Sequence, residues 1–315
     1  MSSPLVSILI PAYRSSWLDV ALESALAQTH KNIEIIVGDD APNDAVQQVL
    51  AHVSDPGIRY IRNPRRGQPW LESRHADSAG RGDYIKFLFD DDYLLPRSVE
   101  ILLYACLEFD ARLAFHNRHA VDSNGNLLAS PTCIVGGGYA EIAPDVYFSQ
   151  IIKNAHNPIG EPSNILIHTT TLRAMPFPFA IGGRRMRFLT DVALYTNFAA
   201  SGHSLVGAAE FGSAFRQHSQ QTSGRGYPGF SAGLYEWELL RRWAAENQLL
   251  SSGDYFFGEH QQMQLYQRFV GQYPELQGFI DLQGLPLQGH FMSNRFREAL
   301  NLADCTIAIR MLAKS

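Results

Sequence analysis

The chain has 315 residues, 45% hydrophobic and 18% charged, the balance of an ordinary globular protein with room for one large α/β domain or one domain and an extension. A formal net charge of −5 at pH 7 argues against nucleic acid as the main partner. Three widely spaced cysteines, Cys106, Cys133 and Cys305, form no zinc-ligand motif and suit a reducing cytoplasm.

No basic stretch precedes the first apolar run, Leu5 to Ile10, which is too short for a signal-peptide core. Runs of about eighteen apolar residues, the length of a spanning helix, do not occur. The expectation is a cytoplasmic protein, with peripheral attachment at the inner face of a membrane left open.

Val6–Ile10 is β-branched and bounded by Pro11, the composition of a buried strand. Trp17–Gln28 follows with Leu18, Ala21, Leu22, Ala25 and Leu26 on one helical face. Ile33–Val37 reads as a second strand, and Asp44 as the cap of a short helix to about His52. A third strand is expected at Ile58–Ile61, a helix over Pro69–Ala79, and a fourth strand at Tyr84–Phe89. Pro96 opens a helix to about Phe109, and Leu113–His116 resembles a fifth strand. Asp122-Ser-Asn-Gly125 marks a hairpin turn. Arg216 to Gly229, rich in Gln, Ser and Gly, reads as a mobile loop, and two or three helices follow from Leu234.

Strands alternating with helices at this spacing predict an α/β fold with a mostly parallel central sheet flanked by helices. In such sheets ligands bind beyond the carboxyl ends of the strands. Residues there are Pro11–Arg14, Asp39–Asp40 and Asp90–Asp92, so two of the three groups are aspartate clusters.

Three adjacent carboxylates repel one another unless a cation sits among them. Hard oxygen ligands suit Mg²⁺ or Mn²⁺, usually shared with substrate phosphates. The plain alternative is an acidic cluster facing the dipole of the helix at Pro96.

Three stretches in order, Val6-Ser-Ile-Leu-Ile-Pro-Ala-Tyr13, Ala27-Gln-Thr-His-Lys-Asn-Ile-Glu-Ile-Ile-Val-Gly-Asp-Asp40 and Gly82-Asp-Tyr-Ile-Lys-Phe-Leu-Phe-Asp-Asp-Asp92, resemble the family 2 glycosyltransferases over about the first 110 residues. Gly160-Glu-Pro-Ser163 looks like an acceptor-side loop, and Arg216-Gln-His218 resembles a late motif near the donor. The resemblance implies a GT-A fold and an inverting, metal-dependent transferase of the hexosyltransferase class. It would move a sugar from a nucleotide-diphospho-sugar, on family grounds a UDP-sugar, to a hydroxyl of a saccharide or lipid-linked saccharide acceptor in bacterial polysaccharide or glycoconjugate synthesis. The transferase domain would span residues 1–230, with a nucleotide-sugar half over 1–120 and an acceptor-side half over 121–230, and residues 231–315 would form a helical extension.

Residue by residue, the resemblance implies that Pro11, Ala12 and Tyr13 border the nucleobase and ribose, with Arg14 beside them. Asp39 would accept from the base, with Asp40 next to it. Asp90 would face the ribose or the metal shell, Asp91 would be the main Mn²⁺ or Mg²⁺ ligand and Asp92 would lie close by. Arg74 falls near a donor-contacting position, His218 could reach the diphosphate when its loop closes, and Asp191 sits at the place of the catalytic carboxylate. For Asp191 two roles stand, a helix cap or the general base that deprotonates the acceptor hydroxyl. Departures include Arg14 for a frequent asparagine, Ala41-Pro42 for Gly-Ser, Phe89 for an aspartate and Thr190 for a glutamate. A sugar-1-phosphate nucleotidylyltransferase is the rival enzyme, but no glycine-rich loop follows the first strand; a non-catalytic nucleotide- or glycan-binding module is the rival outside enzymes.

Overall fold

The computed structural model describes residues 3–53, 55, 57–63, 80–224, 226–282 and 293–313. The chain divides into two compact units, one of residues 1–142, 158–176 and 203–217, the other of 143–157, 177–202 and 218–315. The later helices form one body with two segments borrowed from the middle of the chain.

The first unit is built on a ten-stranded sheet. β1 (Val6–Ala12) pairs in parallel with β2 (Ile33–Asp39) and with β4 (Tyr84–Phe87), and β2 pairs in parallel with β3 (Ile58–Arg62). β9 (Ile165–His168) then runs antiparallel between β4 and β6 (Leu113–Val121). β12 (Leu205–Arg216) lies parallel to β6 and carries the two-residue strand β5 (Tyr93–Leu94) antiparallel on its far side. β7 (Leu127–Ala129) closes the hairpin read at Asp122–Gly125, and β8 (Tyr139–Ile142) pairs with β12. The sheet is thus parallel in its first half and mixed in its second, because β9 enters from a connection whose strand direction single-residue patterning does not reveal.

Alternation explains the core. Val6, Ile8 and Ile10 of β1 and Ile35 and Val37 of β2 face one side. There they pack with Leu18 and Leu22 of α1 (Leu18–Leu26) and Val99 and Leu102 of α3 (Ser98–Glu108). Between these helices in sequence lies α2 (Ala45–Ala51). Asp44 holds the position before it without a side-chain cap, because its carboxylate pairs with Arg62 at 2.8 Å. α4 (Thr169–Ala174) follows β9.

The second unit contains the hairpin β10 (Ala180–Ile181) and β11 (Arg184–Arg185) and the helices α5 (Thr190–Ala200), α6 (Phe230–Glu246), α7 (Ser252–Phe269) and α8 (Asn294–Leu312). Buried carboxylates gather polar partners within and between these helices. Glu238 meets Arg242 at 2.6 Å and receives the Tyr255 hydroxyl at 2.6 Å, and Glu275 binds Arg310 at 2.9 Å. Among the described residues no helix is long and apolar enough to cross a membrane. The helix expected over 69–79 lies outside the described residues.

Candidate active site

The carboxyl ends of β1, β2 and β4 lie side by side, with Ala12 opposite Asp39 and Leu88 N–H donating to the Leu9 oxygen at 3.0 Å. This places Pro11–Arg14, Asp39–Asp40 and Asp90–Asp92 at one edge of the sheet, as the strand-end rule requires. Ala12 is buried and accepts from the Asp40 N–H at 2.8 Å, whereas Tyr13 is half exposed.

Asp39 and Asp40 are held from β3. The Tyr60 hydroxyl donates to Asp39 Oδ2 at 2.6 Å, Arg62 lies 4.0 Å from the same oxygen, and Asp39 Oδ1 accepts from the Ala41 N–H at 2.9 Å. Asn63 Nδ2 donates to Asp40 Oδ1 at 2.6 Å. Tyr60, Arg62 and Asn63 were missed in the sequence. The signal available was that β3 should end beside β2, so the residues closing Ile-Arg-Tyr-Ile-Arg-Asn63 fall at the same edge.

The acidic triplet is not a uniform cluster. Asp90 is buried, and its Oδ2 accepts from the N–H groups of Tyr13 at 2.7 Å and Arg14 at 2.6 Å. Burial, and then the neighbouring Asp91 charge, push its carboxyl up to about 6, while the two N–H donors pull the other way. These two bonds fix the turn that follows β1. Asp92, expected beside the metal, is fully buried: Oδ2 accepts from the Ser163 hydroxyl at 2.6 Å and Oδ1 from the Arg216 N–H at 3.0 Å. Burial, with Asp91 adjacent, raises its carboxyl well above the usual range. Beneath it the fully buried Lys86, lowered to about 7 by burial, donates to the Ser163 oxygen. Asp91 is the member of the triplet that is not buried, with 15% of its side chain exposed and Arg14 Nη1 at 3.8 Å.

The 159–161 segment ahead of β9 is braced by Arg118, which meets Glu161 at 2.7 Å next to the positive-φ Gly160. Arg216 is also part of that frame. It ends β12, is 3% exposed, and donates from Nε to the Asp91 oxygen at 2.8 Å and from Nη1 to the oxygens of Asp122 and Ser123. It therefore does not belong to the mobile loop read from Arg216 onward. Its buried frame is set by Trp17, Tyr93 and the 122–125 turn, all distant in sequence.

Asp191 lies in the second unit, in the first turn of α5. The residue at the cap position is Leu189, and no side chain there caps the helix. Asp191 instead accepts on Oδ1 from the Val192 N–H at 2.8 Å and on Oδ2 from the Asn157 amide at 2.8 Å. Asn157 too was missed. His218 sits in a turn in which its N–H donates to Gln221 Oε1 at 2.8 Å and its Nδ1 accepts from the Gln220 N–H at 3.2 Å. Arg74 lies outside the described residues. His116 is buried against the Ser98 hydroxyl at 2.8 Å, and His119 stacks on Phe211 at 4.3 Å.

Among the described residues no group of three or more His, Cys, Asp or Glu side chains converges on a point that could hold a metal ion. The triplet nevertheless fits a hard cation that takes one carboxylate, Asp91, and completes its shell with phosphate oxygens and water, the usual habit of Mg²⁺. It does not fit a protein-only cage.

A mixed central sheet flanked by helices is the architecture of the GT-A fold. Residues 7–179, more than half of the chain, match the family described as Glycosyl transferase family 2, and the chain belongs to that family of glycosyltransferases. It is 35% identical over 132 residues to the chondroitin synthase of Escherichia coli, a match covering 40% of this chain and 19% of that protein. It is 34% identical over 132 residues to the hyaluronan synthase of Pasteurella multocida, covering 40% of this chain and 13% of that one. The chain thus spans about a fifth or less of these relatives. A structure of S. aureus TarS residues 1–349 in complex with UDP-GlcNAc superposes with a TM-score of 0.55 at 14% identity over 96% of this chain and 81% of that one.

Proposed function

We propose that the chain transfers a sugar from a UDP-sugar to a hydroxyl of a saccharide or lipid-linked saccharide, with inversion at the anomeric carbon, in polysaccharide or glycoconjugate assembly, with Mn²⁺ or Mg²⁺ bound beside the donor. The observation that carries this reading is the division of labour within Asp90–Asp92. Asp90 is bonded to the turn after β1 and Asp92 to Ser163 and Arg216, while Asp91 lies partly exposed at the sheet edge beside Arg14. The UDP-GlcNAc and UDP complexes of TarS support a uridine diphosphate carrier, and the synthases of chondroitin and hyaluronan support a polysaccharide setting.

In this reading Pro11, Ala12 and Tyr13 border the nucleobase and ribose, and Asp39, oriented by Tyr60 and Arg62, accepts from the base. Arg14 faces the diphosphate. The cation would be held by Asp91 and would offset charge on the departing diphosphate. Asp191, whose two oxygens are oriented by Asn157 and the Val192 N–H, takes the proton of the acceptor hydroxyl. The new oxygen–carbon bond forms as the bond from the anomeric carbon to the phosphate oxygen breaks. A single displacement of this kind inverts the configuration. His218 is assigned to the diphosphate end of the donor, and peripheral attachment to a membrane would present a lipid-linked acceptor.

Calorimetry of UDP binding with MnCl₂ and with EDTA tests the core of the proposal. Tighter binding with the metal is expected, and equal affinity in both sinks the metal role. A thermal-shift panel of nucleotide-sugars with Mn²⁺ then identifies the donor, since at equal concentration the ligand that binds the fold more tightly stabilises it more.

A further inference from the structure

Glu236 accepts three main-chain N–H groups in the second unit, and nothing in the reaction described so far uses it. It lies on α6, 3% exposed. Its Oε1 accepts from the Arg187 N–H at 2.5 Å, and its Oε2 from the N–H groups of Phe188 at 3.0 Å and Leu189 at 2.8 Å. These are three consecutive main-chain donors, and the last belongs to the residue at the cap position of α5. Ala193 N–H closes the first helical turn on the Leu189 oxygen at 2.9 Å. Asp191 sits inside that turn.

A second observation on the same face of α6 points the same way. Gly233, one turn before Glu236, lies against Phe188, and a Cβ there would stand 2.5 Å from Phe188 Cδ1. The absence of a side chain at 233 lets α6 approach the 187–189 segment closely enough for the Glu236 carboxylate to receive all three N–H groups. Charged groups around this contact are Arg187 and Asp304, which meet at 2.9 Å.

We propose that Glu236 is a positioning residue for transfer: by anchoring the main chain of 187–189 it fixes the first turn of α5 and, through it, the place of the Asp191 carboxylate. This rests on the assignment of Asp191 as general base. A carboxylate that must meet an acceptor hydroxyl at hydrogen-bond distance tolerates little displacement, and an error of about 1 Å costs on the order of a hundredfold in rate. Anchoring three donors from one side chain is a way to supply that fixity without touching any substrate.

The test combines a substrate-free readout with a double-mutant cycle. In the full chain, Glu236→Gln replaces one accepting oxygen by an amide donor. The ¹³C carboxyl resonance and titration of Asp191 should move, and amide exchange at Leu189 should quicken. With UDP-GlcNAc and Mn²⁺, and UDP release to water or to a saccharide panel as the assay, E236Q should lower kcat about ten- to a hundredfold at unchanged donor KM. In the Asp191→Asn background the same change should cost less than about twofold, because no base remains to be placed. Should E236Q fail to fold, Gly233→Ala displaces Phe188 while keeping the carboxylate, and the same signature is expected. An unmoved Asp191 resonance, or E236Q and D191N effects that multiply independently, overturns the inference. If D191N itself turns over at the wild-type rate, the base assignment falls and takes the catalytic role of Glu236 with it, whereas a moved resonance would still establish the anchor.

Discussion

Arg216 grips Asp91 by its main chain: Nε donates to the Asp91 oxygen at 2.8 Å while the Arg216 N–H binds the neighbouring Asp92 carboxylate at 3.0 Å. Its guanidinium lies 5.3 Å from the Trp17 ring and 5.8 Å from that of Tyr93, and also reaches the oxygens of Asp122 and Ser123. One planar fork thus bonds three carbonyl oxygens across 125 positions of sequence, a geometry lysine does not reproduce. Arg216→Ala should lower stability by about 2–4 kcal/mol, and Arg216→Lys should recover less than about half of that. Urea unfolding of the two variants decides it; equal stabilities for Arg, Lys and Ala would show that the fork contributes nothing.

Asp91 and Asp92 should part company on substitution. Asp91→Asn removes a partly exposed carboxylate, so stability should change by less than about 1 kcal/mol, while the gain in UDP affinity from Mn²⁺ should fall at least tenfold. Asp92→Asn places an amide donor against either the Ser163 hydroxyl or the Arg216 N–H and strips Lys86 of its counter-charge, which should cost about 1–3 kcal/mol. Calorimetry and unfolding on the same two proteins would refute the distinction if both lost metal-dependent affinity with intact stability.

Gly160 tests the frame below the site. Its φ is +91°, and a Cβ would lie 2.3 Å from Arg118 Nη1 and 2.6 Å from Asn164 Nδ2. Gly160→Ala adds a left-handed strain of roughly 1–2 kcal/mol and displaces the Arg118 guanidinium, whose Nη1 donates to the Ile159 oxygen and whose Nε meets Glu161. A drop in melting temperature is expected, and an unchanged one would mean the loop relaxes freely.

Stability should fall with pH around Glu236. Burial pushes its carboxyl from 4.5 up to about 7, the three N–H donors pull the other way, and the nearby Asp304 adds to the rise. The fold therefore favours the proton more than the unfolded chain does. The stabilisation is full below about pH 4.5 and is lost as pH rises towards 7, at no more than about 1.4 kcal/mol per pH unit. Unfolding free energies at pH 5, 6, 7 and 8 should show this decline in the wild type relative to E236Q; parallel curves would place the Glu236 titration at its ordinary value.

Much of the sheet edge was legible because strand ends follow from apolar runs bounded by Pro11, Asp39 and Asp90, and those runs are local. The orientation of each carboxylate was not. Whether Asp90, Asp91 or Asp92 faces outward depends on a turn in which the Asp92 N–H meets the Phe89 oxygen at 3.2 Å, and on Ser163 and Arg216, 71 and 124 positions away. Tyr60 and Asn63 escaped notice for the same reason, since only strand order places them beside Asp39 and Asp40. The cap role open to Asp191 rested on residue type, but no side chain caps α5, and its entry is held by Glu236, 47 positions beyond Leu189. Hydroxyls and carboxylates announce that they can bond; the partner is chosen by packing.

β12 pairs with β6 along nine residues, from Leu205 opposite Leu113 to Arg216 opposite Val121, and it is the last strand of the sheet to be synthesised. On a growing chain β6 waits for about ninety further residues before that edge is covered. Buried apolar side chains such as Leu113 and Phe115 and a run of unpaired main-chain groups stay open in the meantime. Any product that stops short of β12 keeps that edge permanently, and with it the loss of the grip on Asp91. Such fragments should associate edge to edge rather than fold, so the quality of the candidate site and the solubility of the chain are decided by the same late stretch of translation.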